Sequence, residues 1–126
     1  MFERQKDSPD RVITAITTFA NREEARQFGT KMVESQLAAC VHVAPLGESI
    51  YRWEGELKVD EECTLLIKTT RAQVAEVETF LQENHPYEEP EFLVLAIPAG
   101  SQGYLAWVRE SVAKSDKEST VDKPES

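Results

Sequence analysis

The sequence predicts a mixed α+β domain with the order βαββαβ and a helix after the last strand, the ferredoxin-like split-βαβ arrangement. Three observations lead there. Strand-period and helix-period apolar patterns alternate along residues 11–112. Residues 37–70 read as one hairpin whose arms both exceed the usual strand of about 5–6 residues. The strands around Val12 and Phe92 are apolar on both sides, so both sheet faces need cover. Two helices cover one face. A second sheet from a neighbouring subunit is the economical cover for the other, which predicts an oligomer.

Each element has its own signal. Residues 11–19 hold Val12, Ile13, Ala15, Ile16 and Phe19 with three threonines, a β-branched strand. Asn21 followed by Glu24 is a helix start of capping-box type. Ala25, Phe28, Gly29, Met32, Val33, Gln36 and Leu37 then make a single helical stripe. In the hairpin, Val41 and Val43 alternate with Cys40 and His42, and Pro45 predicts a bulge because it cannot donate to a ladder. Glu54-Gly55 supplies the turn. On the return arm Cys63, Leu65 and Ile67 alternate with Thr64, Leu66 and Lys68. Thr70 and Gln73 open a second helix with Val74, Val77, Phe80 and Leu81 as its stripe. His85-Pro86 closes it, since proline disfavours a helical residue before it. Residues 92–97 form an apolar strand that Pro98 stops, and a short last helix carries Leu105, Val108 and Val112. Residues 1–10 and 113–126 are polar and fall outside this domain, as a flexible N-terminus and a disordered tail.

The net charge is −9, and residues 11–112 hold most of it. Nucleic acid and anionic membrane surfaces need a basic partner, so both are excluded. The sequence shows neither a basic start followed by an apolar run nor the about 20 apolar residues that span a bilayer. Cys40 and Cys63 sit in strands without CxxC spacing. A reduced, cytoplasmic protein is the expectation.

The chain carries no GxGxxG, P-loop, GxSxG or HExxH pattern. A phosphate-cradling loop after the first strand would need glycine, and residues 17–22 contain none. These absences lead us to expect neither catalytic residues nor an organic cofactor. Ligand chemistry remains. His85 can bind a borderline cation through a neutral ring nitrogen, with Glu88, Glu89 and Glu91 as oxygen donors. The competing reading is a helix-terminal histidine facing the helix dipole. The acidic run Glu54, Glu56, Asp60, Glu61 and Glu62 attracts divalent cations weakly or protects the hairpin from edge aggregation. Tyr51 and Trp53 near the hairpin tip are candidates for assembly contacts or a ligand cleft, and Lys68 for an anionic ligand or a paired carboxylate.

Several motifs together resemble one family. They are Leu37-Ala38-Ala39-Cys40, Ser49-Ile50-Tyr51-Arg52-Trp53-Glu54-Gly55-Glu56, Leu66-Ile67-Lys68-Thr69, His85-Pro86-Tyr87-Glu88-Glu89-Pro90-Glu91 and Tyr104-Leu105-Ala106-Trp107. In that order and spacing they look like the CutA family of divalent-cation tolerance proteins, over about residues 11–112. The resemblance implies a ferredoxin-like subunit, similar to PII signalling proteins, in a tight homotrimer whose long hairpins pair between subunits. It implies a role in tolerance to copper and other divalent metals, with no reaction attached. A PII-like module with a small-molecule cleft between subunits, lined by Trp53, Lys68 and Tyr87, is the alternative. Some members link copper to a cysteine in the first strand and to a second histidine beside the His-Pro pair. Here those positions are Thr17 and Asn84, and His85 alone matches. One imidazole with carboxylates would hold copper or zinc weakly.

Overall fold

The computed structural model describes residues 1–113. The expected tail lies outside them beyond Ala113. The elements are β1 (Phe2–Arg4), β2 (Val12–Phe19), α1 (Arg22–Glu34), β3 (Cys40–Trp53), β4 (Glu56–Thr70), α2 (Val74–Asn84), β5 (Leu93–Ala96), β6 (Ala99–Ser101) and α3 (Gln102–Ser111). Four strands form one antiparallel sheet in the order β3-β4-β2-β5. The predicted α+β class and βαββαβ order are both present.

Local chemistry places the ends. The Asn21 side chain accepts from Glu24 N at 2.8 Å and starts α1. Glu54 and Gly55 both have positive φ, 51° and 82°, as a two-residue hairpin turn of type I′ requires. The β3–β4 register shifts between Val43 and Leu46, around Pro45. The second helix starts later than its sequence suggests. Thr70 precedes a 3-10 turn over Arg71–Gln73 and makes no side-chain cap. The strand expected over 92–97 is shorter, Leu93–Ala96, because Ile97 turns to pack with α3.

The core lies between one sheet face and α1 with α2. Ile13, Ala15 and Phe19 of β2 and Cys63, Leu65 and Ile67 of β4 meet Phe28, Met32, Val77 and Leu81. Val33, counted on the α1 stripe, is exposed instead. On the opposite face α3 covers only one end, where Leu105 and Val108 pack on Val12 and Ala39. The register aligns Cys40, Lys68, Thr14 and Leu95 in one row across that face, with His42, Leu66, Ile16 and Leu93 in the next. Leu93 and Leu95 are exposed there.

The N-terminal segment holds a strand that the sequence reading does not place. β1 pairs with β6 across nearly the whole chain length. Gln5 continues the join with its side chain: its amide donates to Val12 O at 3.0 Å and Ile97 O at 2.8 Å, and its Oε1 accepts from Val12 N at 2.8 Å. A three-residue polar strand gives no periodic signal of its own.

Candidate functional site

His85 follows α2 as its C-cap and is 8% exposed. Its ring stacks on Phe19 with centroids 4.3 Å apart and tilts against Tyr87 at 4.7 Å. Tyr87 N donates to Nδ1 at 3.0 Å, so Nδ1 carries a lone pair. Nε2 therefore carries the proton and donates to Thr18 O at 2.6 Å. Both ring nitrogens are engaged with backbone. The ring ties the loop after α2 to the end of β2, and borders a hollow of about 340 Å³ with Phe19, Phe28, Lys31 and Glu83.

A polar group forms on the outer side of the hairpin near this loop. Ser49 donates to Glu62 at 2.6 Å, and Thr18 reaches the other oxygen of Glu62 at 3.4 Å. Tyr51 donates to Asp60. That hydrogen bond holds the Tyr51 phenol above its ordinary pKa, helped by burial and by the charges of Asp60 and Glu62. Burial raises Tyr87 likewise, with Glu62, Asp60 and Glu24 adding to it. Sequence reasoning singled out Asp60 and Glu62 only as a charge run. Strand alternation puts Asp60 and Glu62 on one face with Ser49 and Tyr51, where each carboxylate bonds its diagonal neighbour rather than the residue directly opposite.

The other expected residues do not converge. Glu88, Glu89 and Glu91 are exposed in the loop after His85. Among the described residues no three of His, Cys, Asp and Glu are grouped to hold a metal ion. Thr17 is fully buried with an unpaired hydroxyl, and the Asn84 amide donates to Phe80 O at 2.8 Å. Trp53 pairs with Glu56 at the hairpin tip, while Lys68 pairs with Cys40. Twelve steps along β4 separate those pairs, roughly 40 Å at about 3.3 Å per residue. Trp53, Lys68 and Tyr87 therefore cannot line one cleft within a single chain. Cys63 is buried; burial raises its thiol above the ordinary value, and Arg22 opposes the shift. Both cysteines are free.

Residues 13–111 match the CutA1 divalent ion tolerance protein family. The chain belongs to that family. The divalent-cation tolerance protein CutA of Thermus thermophilus is 41% identical over 96 residues, 76% of this chain and 93% of that protein. The chloroplastic protein CutA of Arabidopsis thaliana is 37% identical over 88% of this chain, but the match spans only 60% of the Arabidopsis protein. The solved CutA of Synechococcus elongatus superposes with a TM-score of 0.82 at 34% identity, covering 90% of this chain and 96% of that one. The same protein solved with a Bis-Tris molecule gives 0.79 at 34% identity, covering 89% and 100%. The family match thus spans the chain from β2 to α3. Among the described residues no helix is long and apolar enough to cross a membrane.

Proposed function

We propose that the protein acts as a cytoplasmic CutA-type homotrimer, without catalysis, in the response to divalent metal ions such as copper. Its uncovered apolar surface carries this reading. Ile50, Leu57 and Val59 lie on the side of the hairpin that continues the helix-covered face, yet beyond the helices they are 66%, 68% and 54% exposed. All four residues of β5 are exposed as well, on an open sheet edge. Both surfaces are apolar and exposed. A hairpin added to the β5 edge of the next copy would bring Leu57 and Val59 beside Val94 and Ala96. There a groove of about 570 Å³ is floored by Ile13, Val74 and Ala75. Three such additions close a ring and leave no apolar edge. Sedimentation equilibrium should return three times the chain mass of 14.2 kDa, and Ile50→Asp with Val59→Asp should return single protomers. A stable wild-type protomer overturns the assembly.

For the metal, the candidate set is His85 with Glu88, Glu89 and Glu91. Occupying it means taking Nδ1 from Tyr87 N or Nε2 from Thr18 O, so binding is weak. Calorimetric titration with copper(II) and zinc(II) tests the set. Micromolar binding lost in His85→Ala supports it, and identical curves for both proteins remove His85 from the role.

Two observations favour a second reading, a small-molecule cleft between subunits. Lys68 makes no ion pair among the described residues. The Synechococcus relative holds Bis-Tris. Such a cleft would need assembly to bring Lys68 and Tyr87 of one copy to Trp53 of another. A thermal-shift screen of small anions and nucleotides tests it, because a ligand of the folded state raises the melting temperature.

A further inference from the structure

We propose that the corner between the N-terminal segment and α3 binds a small oxyanion, a phosphate or phosphate monoester. There Arg4, Lys6, Arg11 and Arg109 border a hollow of about 240 Å³ beside Ser8. The inference does not depend on the trimer or on the metal.

Charge is the first support. On a chain of net charge −9, four cationic side chains meet at one hollow. The acids that share it do not cancel them. Arg109 holds Glu3 at 3.1 Å, which leaves Asp10 against the other three cations. Arg4 and Lys6 make no ion pair among the described residues. Arg11 approaches Asp7 only to 4.0 Å.

Fixed walls are the second support. Arg11 N donates to Ser8 O at 3.1 Å, Ala72 N to Pro9 O at 2.8 Å, and Gln5 N to Pro98 O at 2.8 Å. With the backbone already fixed, the ordering cost of binding falls on the side chains of Arg4 and Lys6 alone.

Size sets the ligand class. Pockets for drug-sized molecules run from about 300 to 1,000 Å³. This hollow is smaller and suits a phosphate with a few carbon atoms.

Inorganic phosphate is the probe. The full chain is titrated at low ionic strength, with chloride at matched ionic strength as reference, and read by melting temperature and by backbone amide shifts. Three proteins are compared: wild type, Arg4→Gln with Lys6→Gln, and Arg26→Gln on α1 as control. Arg4 and Lys6 are exposed, so the double variant keeps the fold. Phosphate should raise the wild-type melting temperature beyond chloride and move the amides of residues 4–11 to saturation. The double variant should bind at least tenfold more weakly, and Arg26→Gln as wild type. Equal responses to phosphate and chloride, or a double variant that binds like wild type, overturn the proposal.

Discussion

Replacing His85 with alanine separates a structural ring from a metal-ready one. The ring makes two hydrogen bonds to backbone, at 2.6 and 3.0 Å, and each contributes about 1 kcal/mol net. Its stack on Phe19 adds about 0.5–1.5 kcal/mol beyond simple burial. At 8% exposure the ring also leaves a void, and Thr18 O loses its buried partner. Together these give a loss of about 3–4 kcal/mol. The assay is urea unfolding of wild type and His85→Ala at one fixed protomer concentration, because an oligomer's stability depends on concentration. The urea midpoint should fall while the slope stays constant, which marks a change in stability rather than in compactness. His85→Phe should recover the stacking share and not the polar share. Ring nitrogen NMR gives an independent reading: Nδ1 bare, Nε2 protonated. A loss below about 1 kcal/mol, or a proton found on Nδ1, would refute the assignment of both nitrogens to backbone.

Two further outcomes follow from the same geometry. Gln5→Ala removes three hydrogen bonds that join the N-terminal segment to β2 and the end of β5, and one that Gln5 Oε1 accepts from Arg109. It should cost about 2 kcal/mol and speed amide exchange in β1 and α3 before the central strands; unchanged exchange in α3 would count against the clasp. Tyr51 and Tyr87 both hold their phenolic protons above the ordinary value of 10.0. Above that pH the folded state binds more protons than the unfolded one, so stability is full below it and falls as pH rises through the folded values. Alkaline titration of the tyrosinate absorbance should show delayed ionisation that advances in Asp60→Asn; no difference between the two proteins would remove Asp60 as a cause.

What the sequence made legible was the part written in periodicity. The α1 stripe, the alternation of β4 and the double-sided apolarity of β2 each follow from a local pattern, and the structure places Phe28, Met32, Leu65 and Ile67 in the core accordingly. Turn chemistry was equally readable, since Glu54-Gly55 and Pro45 act within a few residues. The β1–β6 pair was not, because three residues are too short to show a period and the partner is remote in sequence. Thr70 misled as a helix start for a related reason. It ends β4 in register with Val12, and tertiary pairing outweighs a capping preference. The candidate site was legible in composition and not in geometry. His85 is identifiable as unusual, but which atoms it faces depends on β2, more than sixty residues away.

The positions that the family resemblance would link to a metal are all committed to the fold in this chain. Thr17 is buried in the sheet, Asn84 bonds back to its own helix, and both nitrogens of His85 fix a loop. Each polar group is already engaged in the fold or sealed inside it, and a first-row metal would have to displace backbone partners to reach the ring. The surfaces still unmatched are the hairpin, the β5 edge and the open sheet face around Lys68. These are the surfaces that a neighbouring copy would bring together. A ligand that reads several of them at once binds only where two chains meet, so disrupting assembly at Ile50 and Val59 should abolish ligand binding while each chain keeps its core of Leu65, Ile67 and Met32. Ligand binding retained by dispersed protomers would return the site to a single chain.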